Sequence, residues 1–249
     1  MYQTTRGLVI RITKYNDSDA LLTVLSQNTG KITVKARGLY RKNSPLTAPC
    51  QLLAYSEFTL FEYREQYTIN EARTVELFRG LRKDLSKLSL GTYFAQVASV
   101  LSQEDASNPE LLSLTLNCLF ALDKMNISET LVKAVFELRA ACLSGYAPDL
   151  HGCAKCSNPF PDRFSIFEGH LECSKCGSAG TIGLRLPVSG GVLDSMRYIC
   201  NCEPGKLFSF QAGESTVQSL AQISEAYLSA QLEQGFSTLD FYKSLQIQN

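Results

Sequence analysis

Long hydrophobic runs are absent from this 249-residue chain. No apolar stretch reaches the roughly 20 residues an α-helix needs to cross a bilayer, so a membrane-spanning role is not expected. The start, Met1-Tyr-Gln-Thr-Thr-Arg6, runs straight into an alternating strand pattern without the apolar core of a secretory signal. A cytoplasmic location is the expectation. Histidine is scarce, with only His151 and His170, which argues against histidine-based acid–base chemistry. There is no G-x-S-x-G, no H-E-x-x-H and no Walker A sequence. Acidic residues stand singly, which gives no support to a carboxylate-held Mg²⁺ nuclease site. Internal repeats and low-complexity tracts are also missing. What is left is a chain with 45% hydrophobic residues, enough to build a core, and a binding role rather than an enzymatic one.

Cysteine, by contrast, is well represented, with nine residues. Four of them form Cys153-Ala-Lys-Cys156 and Cys173-Ser-Lys-Cys176, separated by sixteen residues. Two C-x-x-C pairs at this spacing signal a metal site, because each pair spans one edge of a tetrahedron and the segment between can form a small hairpin. Thiolates suit Zn²⁺, and four of them close the coordination shell, so one structural zinc is expected, with no position for a catalytic water. A mononuclear iron or an iron–sulfur cluster uses the same donors. Two disulfides are the plainer alternative, disfavoured without a secretory signal. Gly152 and Gly177 flank the pairs and ease tight curvature, and Lys155 and Lys175 offset the negative charge of the thiolates. With four cysteines at hand, His151 and His170 are read as surface residues rather than ligands. Cys50, Cys118 and Cys142 sit in apolar contexts and are expected as small buried hydrophobes. Cys200 and Cys202 form a C-x-C that cannot share one helix face, a weak metal hint.

The net charge of zero conceals an asymmetry. Residues 1–83 carry thirteen Lys and Arg against seven Asp and Glu, and the remainder carries eleven against seventeen. A basic first module suggests an anionic partner. Within it, short strands are predicted over 6–14, 20–27, 31–37, 51–63 and 67–77, with a hairpin turn at Asn28-Thr-Gly30, a loop over 38–49 and a tight turn at Arg64-Glu-Gln66. Five short strands in about 80 residues suit a small barrel, of which the OB-fold is the nucleic-acid-binding version. The third strand alternates Ile32, Val34 and Ala36 with Lys31, Thr33, Lys35 and Arg37, giving one apolar and one basic face. Lys31, Lys35, Arg37, Arg41 and Lys42 lie in one stretch with no acidic residue, an arrangement able to track phosphates. Tyr40, Tyr15 and Tyr2 are candidate stacking surfaces. The bland reading of the stretch is a solvated strand face.

From Gly80 the periodicity becomes helical. Helices are predicted from Leu81 to Leu101, over 111–122 with Pro109 near its first turn, over 128–143 ending at Gly145, over 191–201, over 215–234 and, as a short tail, over 238–245. Within the knuckle a short strand is expected at 164–167 and a turn at 168–170, with a loop at 177–183. Phe136 and Leu143 are read as exposed apolar positions near Lys124, Lys133 and Arg139. The overall expectation is an α+β chain: an OB-fold barrel over 1–80, then an all-helical domain over 81–249 with a Cys₄ zinc-finger module inserted at 150–180.

Several of these segments resemble the bacterial recombination mediator family RecO. Gly7-Leu-Val-Ile-Arg-Ile12, Asp17-Ser-Asp-Ala-Leu-Leu-Thr23, Gly30-Lys31 and Ala36-Arg-Gly38 resemble its N-terminal signature. Gly145-Tyr-Ala-Pro-Asp-Leu150, Tyr227-Leu228 and Thr238-Leu-Asp-Phe-Tyr242 extend the likeness nearly to the end. The resemblance implies an N-terminal OB-fold, a helical domain and a zinc module. It implies binding to single- and double-stranded DNA, annealing of complementary strands, work with RecR and sometimes RecF, and help in loading RecA on strands covered by single-stranded-DNA-binding protein (SSB). It matches Lys35, Arg37, Arg41 and Lys42 to the family's basic strand and loop, and leaves Lys133 and Arg139 as candidate cations for the SSB tail. Two rival readings stand beside it: a scaffold whose barrel binds acidic peptides, and a metal-dependent nucleic-acid enzyme, which a closed Cys₄ shell disfavours.

Overall fold

The computed structural model describes residues 1–104, 106–176 and 183–247. The expected loop at 177–183, including the flanking Gly177, lies outside these apart from Gly183. The chain forms two compact units, Met1–Met125 with Phe236–Asn249, and Asn126–Gly235.

The first unit is built on five strands, β1 (Tyr2–Lys14), β2 (Ala20–Ser26), β3 (Gly30–Ala36), β4 (Tyr55–Tyr63) and β5 (Gln66–Glu76). They close into a barrel in the order β1-β2-β3-β5-β4. Neighbours are antiparallel except for β3 and β5, which run parallel where Val34 meets Tyr67 and Lys35 meets Thr68. β1 serves two neighbours: its first half pairs with β4, its second half with β2, and the register shifts between Val9 and Arg11. Such a shift bends the strand, as closure of a small barrel requires. The expected alternation holds on β3. Ile32, Val34 and Ala36 face the core with Val9, Leu22, Val24, Phe58, Leu60 and Ile69, while Lys31, Thr33, Lys35 and Arg37 face outward.

Two hairpins are set by backbone chemistry. Arg64 and Glu65 both adopt positive φ, the two-residue turn whose twist matches paired strands. Gly30 sits at φ +73°, and a Cβ there would lie 2.1 Å from the Ala106 carbonyl oxygen, so only glycine fits. The fourth strand begins at Tyr55, four residues later than predicted. Leu53 takes a left-handed conformation at φ +61°, and its N–H donates to the Val9 oxygen at 2.8 Å while Val9 N–H donates to Ala54 at 3.0 Å. The apolar run at 51–54 is therefore a buried turn stitched to β1. Cys50 is buried in the same core as expected, and burial pushes its thiol up to about 12.

Helices complete this unit. α1 (Leu85–Leu101) starts at Asp84, whose carboxylate accepts from Lys87 N–H, and α2 (Pro109–Lys124) starts at Asn108, which accepts from Leu111 N–H. Both caps satisfy an otherwise unpaired helical donor.

In the second unit, α3 (Glu129–Leu143) is capped by Ser128 and α4 (Gly190–Asn201) by Ser189. α5 (Glu214–Leu232) buries the predicted stripe of Val217, Leu220, Ile223, Tyr227 and Leu228 against α3. Phe136, expected to be exposed, is fully buried. α3 is covered on more than one face, by α4 and α5, so its apolar residues extend around the helix; Leu143 is half-buried. Between α3 and α4 lies a four-stranded sheet ordered β6-β8-β7-β9, from β6 (Asp149–Cys153), β7 (Arg163–Ser165), β8 (His170–Glu172) and β9 (Arg185–Pro187). The predicted strand at 164–167 begins one residue earlier and ends at Ser165. α6 (Ser237–Ile247), a full helix where a short tail was predicted, belongs to the first unit and packs on α1. No helix among the described residues is long and apolar enough to cross a membrane.

Candidate metal centre and nucleic-acid face

The four knuckle cysteines converge. Cys153 ends β6 and Cys156 follows in a turn closed by Ser157 N–H donating to the Cys153 carbonyl at 2.8 Å. Cys173 follows β8, and Cys176 N–H donates to its carbonyl at 2.9 Å. Gly152 is needed for the approach, because a Cβ there would sit 2.9 Å from the Asn158 carbonyl oxygen. The four sulfurs lie within 4.8 Å of one another, and Cys156 and Cys173 are 3.8 Å apart. This donor set can hold a metal ion. All four sulfurs converge on one point rather than pairing off two by two, the arrangement of a shared ion rather than of two disulfides.

The surroundings favour thiolate at Cys153, while the neighbouring sulfurs and burial push the Cys173 and Cys176 thiols up. Burial opposes ionisation of Cys153, but N–H groups of Cys156, Lys155 and Cys173 aimed at the sulfur bring it down to about 6. Asn158, which sequence reasoning missed, donates its side-chain amide to Cys173 Sγ at 3.2 Å. Such outer donors orient ligands and spread their charge. Lys155 donates to the Cys176 carbonyl at 3.1 Å, tying the two knuckles together. The sheet is seated by α4 and α5. Arg197 donates to the Leu150 and His151 carbonyls at 2.9 and 3.2 Å, and Phe164 meets the Tyr227 ring edge-on at 5.3 Å.

His151 is exposed and hydrogen-bonded to Asp149, as a surface residue should be. His170 departs from that expectation. It is half-buried, 3.3 Å from Glu168 and 3.1 Å from Glu172. These three residues form a second convergent group, but Glu172 already carries Arg185 at 2.8 Å and Lys155 at 3.9 Å. The Arg185 hydrogen bond holds its carboxyl below the usual range. The group is an ion-pair cluster that stiffens β8 and β9.

On the barrel, Lys35 and Arg37 line a groove of about 390 Å³ together with Tyr15, Thr33, Glu65, Gln66 and Thr68. Arg37 also borders a second recess of about 150 Å³ with Phe61 and Tyr63, aromatic residues that sequence reasoning passed over. Their alternation on β4 was the available signal. The Lys35 ammonium stands 4.3 Å over the Tyr15 ring and 3.9 Å from Asp19. Asp19 in turn accepts from Gly38 N–H at 2.8 Å, and that bond holds its carboxyl below the usual range. The loop bearing Tyr40, Arg41 and Lys42 is thereby anchored to the β1–β2 turn, with all three side chains exposed. Lys31 is placed apart: its ammonium donates to the Ser99 carbonyl at 3.0 Å. The Tyr2 ring meets Phe61 in a tilted contact at 5.2 Å.

Lys133 and Arg139 lie in the second unit, facing inward. Lys133 is 5% exposed and bonded to Glu137 at 3.0 Å and Glu225 at 2.7 Å. Burial opposes its charge, and the two carboxylates outweigh that and raise its pKa. Arg139 donates to the Ile199 and Cys200 carbonyls.

The chain has counterparts among known proteins along nearly its whole length. The family model "Recombination protein O N terminal" matches residues 1–78, and "Recombination protein O C terminal" matches residues 82–240. The chain belongs to the RecO family. It is 35% identical over 246 residues to the DNA repair protein RecO of Acetivibrio thermocellus, covering 98% of this chain and 97% of that protein. The RecO of Alkaliphilus metalliredigens is 29% identical over 245 residues, covering 97% and 98%. That of Caldicellulosiruptor bescii is 28% identical over 244 residues with the same coverage. Within the RecO frame, both structural features described above fall inside the matched spans: the grooved barrel in the N-terminal part and the Cys₄ cluster in the C-terminal part.

Proposed function

We propose that this RecO-family protein is a non-catalytic DNA-binding protein of recombinational repair that holds strands on its barrel and anneals complementary ones. The observation that carries this is the groove where Lys35 and Arg37 stand beside Tyr15 on the outer face of β3. It pairs cations for phosphates with a ring for bases, the combination that binds single strands with little sequence preference. Arg41 and Lys42 extend the cationic track, and double-stranded DNA is held through the same phosphate contacts. Bringing two strands to one basic face reduces their mutual repulsion. In this reading residues 1–80 handle DNA, and residues 81–249, with the module at 150–180, handle partners: RecR, the SSB tail and, through them, RecA and RecF.

The bound metal is zinc in this proposal. A Zn–S bond of about 2.3 Å places tetrahedral sulfurs about 3.8 Å apart, and Cys156 and Cys173 stand at 3.8 Å. Cys153, Cys156, Cys173 and Cys176 would hold the ion, which cross-links two knuckles and supplies no open position.

The test is annealing of complementary oligonucleotides, bare and SSB-coated, across a salt series. Salt-sensitive acceleration on both substrates supports the reading. Acceleration on bare strands alone removes the SSB partnership. Absence of binding even at low salt overturns the DNA role and favours the scaffold for acidic peptides.

A further inference from the structure

Five cysteines lie outside the knuckles, and two of them touch. Cys142, in the last turn of α3, has its sulfur 3.3 Å from that of Cys200, in the last turn of α4. Cys142, expected as a buried hydrophobe, and Cys200 are both residues of intermediate burial. The residues are 58 apart in sequence, and the segment between contains the whole Cys₄ sheet. Arg139, one turn before Cys142, donates its guanidinium to the Ile199 and Cys200 carbonyls, fixing the two helix ends to each other.

We infer that Cys142 and Cys200 are a redox-sensitive thiol pair that a peroxide converts to a disulfide, stapling α3 to α4 at the base of the metal-binding insertion. The sulfurs need to close from 3.3 Å to about 2.0 Å, a movement within reach of side-chain rotation on two helices already held together.

The two thiols are not equivalent. The sulfur–sulfur hydrogen bond favours the Cys142 thiolate, and the Arg139 charge adds to this against burial. The same bond, with burial, pushes the Cys200 thiol up. Both lie at helix C-termini, where the dipole opposes an anion, so the Arg139 guanidinium is needed as the local counter-charge. Cys142 is thus the attacking sulfur. Its thiolate attacks one peroxide oxygen; the S–O bond forms, the O–O bond breaks, and hydroxide leaves. Cys200, giving up its proton, attacks the sulfenic sulfur; the S–S bond forms, the S–O bond breaks, and a second hydroxide leaves. With the two thiol protons the products are one disulfide and two waters. The sulfurs lose two electrons and the peroxide gains them. Cys202 is kept apart, its sulfur directed at the Ile199 carbonyl at 3.8 Å.

The consequence is mechanical. The disulfide joins the two ends of the insertion, so the Cys₄ sheet becomes a closed loop whose ends stay together even when the metal is lost. Dithiol reductants reverse it.

The experiment uses the full, metal-loaded protein and hydrogen peroxide at stoichiometric amounts, followed by alkylation of remaining thiols, digestion and mass analysis. The expected product is a Cys142–Cys200 cross-linked peptide, located by fragmentation, with metal content unchanged and the link removed by dithiothreitol. Cys202→Ser retains the link; Cys142→Ser and Cys200→Ser lose it. After oxidation, subsequent chelation leaves residues 143–199 more resistant to protease than in the reduced protein. Because the wild-type peptide map decides the matter, a variant that fails to fold does not obscure it. Release of metal before any Cys142–Cys200 link forms, or a link through Cys153 or Cys202 instead, overturns the inference.

Discussion

Replacing Lys35 and Arg37 together by alanine tests the barrel groove in a way that affinity alone does not. Each cation that neutralises a phosphate releases a counterion, so the number of contacts appears as the slope of log K against log salt. The structure says which cations to count. Lys35 and Arg37 line the groove and Arg41 and Lys42 stand exposed on the adjoining loop. Lys31 is left out because its ammonium is engaged by the Ser99 carbonyl. Four contacts to a single strand give a slope of about −2.8, and two give about −1.4. A fourfold rise in salt, from about 50 to 200 mM, then weakens wild-type binding by about 50-fold but the double variant by only about 7-fold. Fluorescence anisotropy with a labelled homopolymeric strand, titrated at five or so salt concentrations, measures both slopes. Lys31→Ala is the internal control and should keep the wild-type slope. An unchanged slope in the double variant would refute the groove as the phosphate track. A flattened slope in Lys31→Ala would show that the phosphate track runs along β3 beyond the groove.

Three further outcomes follow from the packing. Cys156→Ser or chelation should abolish bound metal, measured by elemental analysis, and expose the 150–176 segment to protease while the barrel retains DNA binding. Lys133→Met removes the ammonium shared by Glu137 and Glu225 and should cost about 3–5 kcal/mol in urea unfolding. Its raised pKa means this contribution is present below the ordinary lysine value and lost only as pH rises through the folded value, so wild-type stability should show no loss from this group near neutrality. Gly30→Ala forces a side chain into the left-handed region against the Ala106 carbonyl and should lower the unfolding free energy by at least the roughly 1–3 kcal/mol of backbone strain; an unchanged unfolding free energy would show that this hairpin relaxes freely.

The features read correctly from the chain are those written within a few residues. β3 is legible because alternation is a local pattern, and Ile32, Val34 and Ala36 are buried as it predicts. The Cys₄ cluster is legible because each knuckle is a local pair and the separating hairpin leaves few ways to join them. Errors arise where a distant partner decides. Gln51–Ala54 reads as strand, but β1 captures it as a left-handed turn at Leu53. Phe136 reads as exposed because the pattern on α3 gives no sign that both α4 and α5 cover it. Lys133 and Glu137 form the i, i+4 pair typical of a solvated face, and only the position of α5, with Glu225, turns that pair inward. The Cys142–Cys200 approach joins two helix ends with no motif between them.

The small number of cations on the groove bears on the annealing role itself. A protein that coats single strands gains from many phosphate contacts and slow release. One that brings complementary strands together must let go once they pair, because paired bases no longer present faces to Tyr15. Four cations beside a few exposed rings make a short, salt-sensitive grip. On the proposed reading, weak holding is therefore part of the function, since adding cations to the groove would tighten single-strand binding while slowing turnover between strands. Thr33, on the same outward face as Lys35 and Arg37 and lining the same groove, is the place to test this. Thr33→Lys should raise single-strand affinity at low salt and steepen the slope by about 0.7. It should also lower the annealing rate at saturating protein, measured by quenching of paired fluorophores. If annealing instead rises in step with affinity, strand capture rather than release limits the reaction, and the argument for a deliberately light grip fails.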